Sequence, residues 1–172
     1  MGAQDLILGS RVAHVRELQT ALAKAKAENA ALTAHLDLAF LALADLRALP
    51  PGGRLEIWDG WNLILGSQKE APDRAALVAQ ARARLAADGA ESLRVWIVFD
   101  GADEAVDSDG RLRVSYTGGT GAQRADRFIV AFVRAAAYLG LGDRLSVRTN
   151  DRELARAAAR LTGLSRRAII RA

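Results

Sequence analysis

The sequence predicts an α/β protein: a three-layer domain with a mostly parallel central sheet, preceded by a long N-terminal α-helix. Apolar residues recur at heptad spacing through the first region, and from Arg54 onwards short strand-like runs alternate with helical segments. That alternation is typical of a parallel sheet with helices on both faces. Between the two regions stands Pro50-Pro51-Gly52-Gly53, which ends the helix because proline cannot continue it. We therefore expect a helical region over 1–49 and a folded domain over 54–172.

The first region follows the a/d pattern of a coiled coil. The a positions are Val15, Leu22, Asn29, Leu36 and Leu43, and the d positions are Leu18, Ala25, Leu32, Ala39 and Leu46. An asparagine at an a position is typical of a parallel, two-stranded coil. We therefore expect a helix over about 5–48 that joins two copies of the chain through residues 8–46, so that the protein is a homo-oligomer and most simply a dimer.

The flanking positions leave a second interpretation open. Ala21, Thr33, Phe40 and Ala42 offer little charge for pairing between helices, and Phe40 and Leu41 widen the apolar face near the C-terminal end. That end can instead pack against the following domain, or more than two helices can associate.

In the second region, the elements are predicted from length and hydrophobic period. Strands are expected over 54–58, 93–99, 111–116, 145–148 and 168–171, and helices over 73–87, 125–139 and 151–161. The run 93–99 is apolar apart from Arg94, as in a strand buried on both faces, whereas 111–116 alternates and suits a place nearer an edge. Thr149 or Asn150 is the expected N-cap of the last helix.

The composition excludes several kinds of chemistry. The chain has no cysteine and two histidines, so disulfides, thiolate zinc sites and cysteine nucleophiles are excluded, and any metal is expected to be a hard ion bound by carboxylates. The net charge is +4 and is carried almost entirely by arginine, which suits phosphate contacts, although a codon bias explains it equally well. The most apolar window, 36–46, is too short to span a bilayer, so we expect a cytoplasmic protein with no membrane contact.

Acidic residues follow the predicted strands. Asp59 and Asp100 come directly after a strand, Asp151 follows Thr149 and Asn150 after another, and Asp126 lies in the first turn of the next helix. Each alone is explained by a turn or a helix start. Because the carboxyl ends of parallel strands meet at one edge of a sheet, however, we expect the four to lie together. Clustered carboxylates repel one another unless a cation neutralises them, which predicts a Mg²⁺ or Mn²⁺ site at this edge.

These motifs resemble a known family. Asp59-Gly60-Trp61-Asn62, Phe99-Asp100-Gly101, Ala125-Asp126 and Thr149-Asn150-Asp151-Arg152 are similar, in this order, to the motifs of NYN domains, and most of all to their YacP-like branch. NYN domains are PIN-like, metal-dependent ribonucleases with a three-layer α/β fold. The resemblance implies that Asp59, Asp126 and Asp151 bind the metal and that Asp100 is a further catalytic acid. It also implies that Asn62 fixes the loop after the first strand or contacts substrate.

The function that follows is an endoribonuclease that hydrolyses RNA phosphodiester bonds at a carboxylate-bound Mg²⁺ or Mn²⁺ and is dimerised by its N-terminal helix. Its partner is expected to be RNA, either structured RNA or RNA on the ribosome. The residues expected to bind substrate are Trp61, Asn62, Arg124, Arg127, Asn150 and Arg152. Trp61 can stack on an unpaired base, and the arginines can hold phosphates.

Two alternatives differ in their chemistry. The first is a catalytically weak or inactive module of the same fold that binds RNA or serves as a scaffold, because Arg127 and Phe128 follow Asp126 where related nucleases often have another acid. The second is a phosphatase of the haloacid-dehalogenase type, which is disfavoured because Trp61 stands where that chemistry expects a second aspartate.

Overall fold

The computed structural model describes residues 3–65, 73–89, 91–101, 107–118, 124–162 and 169–170, and it confirms the predicted α/β class. The helices are α1 (Ala3–Arg47), α2 (Gly60–Leu65), α3 (Arg74–Ala86), α4 (Arg124–Tyr138) and α5 (Arg152–Thr162), with a 3-10 turn at Gly142–Arg144. The strands are β1 (Arg54–Asp59), β2 (Leu93–Phe99), β3 (Asp107–Asp109), β4 (Leu112–Tyr116), β5 (Leu145–Arg148) and β6 (Ile169–Ile170).

The strands form one mixed sheet in the order β3-β4-β2-β1-β5-β6. Strands β4, β2, β1, β5 and β6 run parallel to their neighbours, whereas β3 pairs antiparallel with β4 at the edge. The sheet is therefore mostly parallel, as predicted. Sequence reasoning missed α2, β3 and the 3-10 turn, since elements of three to six residues are too short to show a period. Of the predicted strand 168–171, positions 168 and 171 lie outside the described residues.

Helices cover both faces of the sheet and form two separate cores. On one face, α4, α5 and the end of α1 pack around Trp96, whose ring meets those of Phe128 and Phe132 edge to face at 5.3 and 5.2 Å. On the other face, α2 and α3 pack Leu63 and Leu77 against the sheet. The central strands are thus buried on both sides, which explains why β2 is apolar at every position except Arg94.

The C-terminal end of α1 belongs to the core of the domain that follows it. Ala42, Leu46 and Leu49 are buried there, and Leu46 has 0% of its surface exposed. The second interpretation of the heptad pattern is therefore confirmed for this end of the helix, although it is not Phe40 or Leu41 that packs, since both side chains are exposed. Because Leu46 already lies in its own core, it is not available to a second copy.

Arg144 fastens this end of α1 to the domain. Its guanidinium donates hydrogen bonds to the carbonyl oxygens of Leu46 at 3.2 Å, Leu49 at 2.8 Å, Pro50 at 2.5 Å and Gly53 at 3.2 Å. A cation at this position also complements the negative end of the helix dipole. These bonds fix the direction in which α1 leaves the domain.

A second set of ionic contacts holds the same helix end from the sheet side. Asp45 forms ion pairs with Arg113 at 2.7 Å and with Arg94 at 3.5 Å. The two arginines lie on the adjacent strands β4 and β2. The last turns of α1 are therefore joined to the sheet through Asp45 and to the 3-10 turn before β5 through Arg144.

The remainder of α1 stands away from the domain. Every described side chain from His14 to Asp37 is exposed, including the heptad residues Val15, Leu18 and Leu22. The a/d stripe is thus not covered by the chain's own domain over this stretch, and a coiled coil stays a prediction. None of the helices in the described part of the chain is long and apolar enough to cross a membrane.

Candidate functional site

Four aspartates meet at the carboxyl edge of the sheet. Asp59 is the last residue of β1, Asp100 directly follows β2, and Asp151 lies between β5 and α5. Since β2, β1 and β5 are neighbours in the sheet, their carboxyl ends lie side by side. Asp126, in the first turn of α4, is close enough that the charges of the other three raise its pKa. The structure therefore brings together all four of the acids that the sequence singled out.

Asp59 is the most deeply buried of these acids, with 1% of its surface exposed. Its Oδ2 accepts hydrogen bonds from Asn62 Nδ2 at 2.6 Å and from Thr149 Oγ1 at 2.8 Å. Asn62 reaches Asp59 because α2 begins directly after β1 and brings position 62 back over the strand end. The start of α2 packs tightly on β2, where a Cβ on Gly60 would lie 2.3 Å from the Phe99 ring.

Asp100 connects β2 to the start of α4. Its Oδ1 accepts hydrogen bonds from Ala125 N at 2.5 Å and from Thr117 Oγ1 at 3.2 Å. A carboxylate at a helix N-terminus satisfies a backbone N–H and complements the helix dipole. Through this bond Asp100 fixes the turn of α4 that carries Asp126.

Asp151 is the N-cap of α5. Its Oδ1 accepts hydrogen bonds from Glu153 N at 2.6 Å and Leu154 N at 3.2 Å. The expectation that Thr149 or Asn150 caps this helix is therefore wrong. Thr149 instead accepts a bond from Asp151 N at 3.0 Å, because its buried hydroxyl lies between Asp59 and the loop.

Burial and mutual repulsion perturb two of the acids. The pKa of Asp126 is raised to about 6, first by burial and then by the charges of Asp59, Asp151 and Asp100. Burial also raises the pKa of Asp59, while the hydrogen bonds from Thr149 and Asn62 lower it and the charge of Asp151 raises it further. Carboxylates held together against repulsion are typical of a site that binds a cation.

The donor set suits a hard divalent cation. Within the part of the chain that the structure describes, no three acidic side chains form a ready-made metal-binding group. Mg²⁺, however, needs only one or two carboxylates and keeps several waters. In Asp100 and Asp151 the hydrogen bonds from Ala125, Thr117, Glu153 and Leu154 all fall on Oδ1, so Oδ2 of each can bind a cation without losing them. The residues therefore fit a partly hydrated Mg²⁺ or Mn²⁺.

The predicted polar and aromatic substrate residues are built into the site. Asn150 Nδ2 donates to Asn62 O at 3.2 Å and so connects the loop after β5 to α2. Trp61 Nε1 donates to Asp100 O at 2.7 Å, and the Trp61 ring meets the Phe99 ring edge to face at 5.4 Å. Both residues thus hold the loops that carry the acids in place.

The predicted arginines lie around the site without ionic contact to it. Within the described residues no salt bridge joins Arg124, Arg127 or Arg152 to an acid, and Arg127 and Arg152 are exposed. Arg124 and Arg127 border an apolar groove between α1 and α4. Phe128 is a core residue packed on Trp96, so its position could not carry an acid without opening the core.

Sequence reasoning missed Arg74, the first residue of α3. Its guanidinium carbon lies 4.7 Å from the centre of the Trp61 ring, 5.1 Å from that of Tyr116 and 5.6 Å from that of Phe99. A single arginine at a helix start has no distinguishing signal in the sequence, because the three rings come from three distant segments.

The fold and the acidic edge define a three-layer α/β protein whose acids lie at the carboxyl edge of a mostly parallel sheet. No protein-family model matches the chain, and no curated protein matches it. Among solved structures the chain is similar to Rae1 (YacP) from Bacillus subtilis, with a TM-score of 0.46 and 17% sequence identity, over 69% of this chain and 68% of that one. That likeness is distant, so the proposal below depends on the geometry of the site.

Proposed function

We propose that the protein is a metal-dependent endoribonuclease that hydrolyses phosphodiester bonds of RNA. The observation that carries the proposal is the meeting of four aspartates, from four separate segments, at the carboxyl edge of the sheet. Their repulsion is unfavourable for the fold unless a ligand offsets it, and a divalent cation is the ligand that does so.

Asp59, Asp126 and Asp151 are the proposed metal ligands. When Mg²⁺ or Mn²⁺ is bound, it lowers the pKa of a bound water and neutralises charge on the phosphate in the transition state. Thr149 and Asn62 orient the Asp59 carboxylate through their hydrogen bonds to Oδ2. The Asp151 carboxylate is oriented by the backbone N–H groups that it caps.

Asp100 is the proposed general base beside the ligands. Its Oδ1 is held by Ala125 N and Thr117, so that Oδ2 can accept a proton from the attacking water. The water oxygen forms a bond to phosphorus, the bond from phosphorus to the leaving ribose oxygen breaks, and the leaving oxygen takes up a proton.

The substrate is proposed to lie across this edge as a single strand. Arg124 and Arg127 at the start of α4 and Arg152 at the start of α5 lie beside the acids in sequence and can contact phosphates on either side of the scissile bond. Structured RNA and RNA on the ribosome both offer unpaired segments of this kind, and a cytoplasmic location suits both.

The exposed part of α1 is proposed to join two chains. Val15, Leu18, Leu22 and Leu36 are all more than half exposed and share one heptad stripe. A dimer joined there has two sites for one RNA, which raises the apparent affinity for a long substrate.

A second candidate function is RNA binding without cleavage. The observation that favours it is the absence, among the described residues, of a ready-made group of three acids. In that case Asp59, Asp100 and Asp151 serve only to fix the loops and helix starts that they hydrogen-bond.

Cleavage of labelled single-stranded RNA with Mn²⁺ tests the proposal. We expect the wild type to cleave, EDTA to abolish cleavage, and Asp59→Asn and Asp126→Asn each to slow it by about 10²–10⁴-fold. Asp143→Asn is the matched control, because Asp143 is exposed before β5, at the opposite end of the sheet. If the wild type binds RNA but shows no Mn²⁺-dependent cleavage, the second candidate function is favoured. If the wild type neither binds nor cleaves RNA, both candidate functions are contradicted.

A further inference from the structure

Arg74 is enclosed by aromatic rings beside the acidic edge. Its guanidinium lies over the rings of Trp61, Tyr116 and Phe99 at 4.7, 5.1 and 5.6 Å, and its Nη1 donates to Tyr116 Oη at 3.4 Å. The rings also hold one another, since Phe99 stacks on Tyr116 at 5.4 Å. Cation–π contacts of this kind fix both the position and the plane of a guanidinium.

The cluster is directly continuous with the acids of the proposed active site. Phe99 immediately precedes Asp100, and Trp61 donates to Asp100 O at 2.7 Å. Tyr116 immediately precedes Thr117, whose hydroxyl donates to Asp100 Oδ1. Arg74 therefore stands on the α2–α3 side of the site, on the opposite face of the sheet from α4 with Arg124 and Arg127.

A ring that faces a guanidinium is not available on that face to a nucleobase. Arg74 covers a face of Trp61, and Phe99 meets the same ring edge to face. The indole N–H is used by Asp100 O. We therefore assign the substrate contact to Arg74, the cation that Trp61 holds. Trp61 is a positioning residue and not a base-stacking residue.

The chemistry of that cation suits a phosphate. Cation–π contact uses the faces of a guanidinium, whereas its five N–H donors lie in its plane, and in Arg74 one of them, on Nη1, donates to Tyr116 Oη. A planar guanidinium held in one orientation is the group best matched to two phosphate oxygens.

From this geometry we infer that Arg74 binds a backbone phosphate of single-stranded RNA next to the acidic site, and that Trp61, Phe99 and Tyr116 hold it in place for that contact. The inference rests on the proposed function for its ligand. It places one side of the proposed RNA path on α3, opposite Arg124 and Arg127 on α4. The sequence indicated no functional residue in α3.

Salt-dependent binding of a short fluorescent single-stranded RNA tests the inference. Binding is measured by anisotropy in EDTA, so that no cleavage intervenes, from about 50 to 200 mM salt. We expect Arg74→Gln to weaken binding about tenfold and to reduce the slope of log K against log salt by about 0.7, the value for one phosphate contact on a single strand. Arg74→Lys keeps the charge but not the planar fork, so we expect weaker binding with an unchanged slope.

Arg82→Gln is the matched control, because Arg82 is exposed on the same helix and the change removes the same charge. It should leave both affinity and slope close to those of the wild type. Thermal melting establishes whether each variant is folded. If Arg74→Gln is not folded, the test depends on Arg74→Lys alone, and an RNA affinity of Arg74→Lys equal to that of the wild type overturns the inference. An unchanged slope in folded Arg74→Gln overturns it while the proposed function stands. If the wild type does not bind RNA, both fail.

Discussion

Thr149 donates a hydrogen bond from Oγ1 to Oδ2 of Asp59 at 2.8 Å, although the two residues are 90 positions apart in the chain. Both are buried, each with 1% of its surface exposed. The same hydroxyl accepts a bond from Asp151 N. A single side chain thus connects two of the proposed metal ligands and fixes the distance between β1 and the start of α5.

Replacement of this hydroxyl should damage both stability and activity. We expect Thr149→Val to lower the free energy of unfolding by about 1–3 kcal/mol, because it leaves a buried carboxylate with one fewer donor. Cleavage should slow by about tenfold or more as Asp59 and Asp151 lose their shared support. Urea unfolding and initial cleavage rates measure the two effects. Thr149→Ser retains the hydroxyl and should stay close to the wild type; equal losses in both variants would contradict this role.

The raised pKa of Asp126 predicts how stability changes with pH. Its pKa is about 6 in the folded protein, above the 3.8 of the unfolded chain, so the folded state binds more protons between these values. In metal-free protein, the ionised Asp126 therefore destabilises the fold above about pH 6, and this penalty is relieved as the pH falls towards 4.

Asp126→Asn removes that penalty and should be more stable than the wild type at neutral pH. After allowance for solvent screening we expect about 1 kcal/mol, a rise in Tm of about 2–4 °C in EDTA that vanishes near pH 4. Mn²⁺ should raise the Tm of the wild type more than that of the variant, because it binds only the folded site. Melting curves at several pH values measure this, and a variant less stable than the wild type at neutral pH would contradict it.

Loss of Arg144 should loosen the attachment of α1. Arg144→Ala leaves the carbonyl groups at the end of the helix without their donor, so we expect a loss of about 2 kcal/mol in the free energy of unfolding. Proteolysis between Leu49 and Arg54 should become faster. Arg134→Ala is the control, since Arg134 is exposed on α4 and lies outside the segment whose cleavage is measured. Equal cleavage of the two variants would show that Arg144 does not hold the helix.

The exposed heptad stripe predicts self-association that depends on its apolar residues. We expect the wild type to sediment as a dimer and the double variant Leu18→Glu with Leu22→Glu to be a monomer, because like charges then face one another across the seam. Ala23→Glu adds a charge off the a/d positions and should not change the mass. A monomeric wild type would mean that the part of α1 before Leu36 does not pair with a second chain.

The sequence was informative wherever a pattern repeats within one element. The burial of β2 was predicted from its near-continuous apolar run. The meeting of the four acids was predicted because the carboxyl ends of parallel strands share one edge. The alternation of β4 correctly placed it near the edge of the sheet.

What the sequence did not reveal depends on contacts between distant segments. The wider apolar face at Phe40 and Leu41 indicated that the end of α1 can pack on the domain, but the residue that is buried, Leu46, follows the same heptad as the exposed Leu22. The capping of α5 by Asp151 depended on where the buried Thr149 hydroxyl points. Arg74 became visible only once three rings from α2, β2 and β4 were found around it.

Because the hydrogen bonds of Arg144 hold its C-terminal end, α1 sets the distance between the domain and the far end of the helix. A helix of 45 residues is about 67 Å long, and it leaves the domain in a direction set by Arg144 and Asp45. If two chains pair along this helix, parallel pairing places both proposed catalytic edges at the same end, whereas antiparallel pairing separates them by about one helix length. Whether the two helices pair in parallel or antiparallel therefore decides whether one stretch of RNA can reach both proposed sites. The distance between two labels, one on each domain, distinguishes the two arrangements.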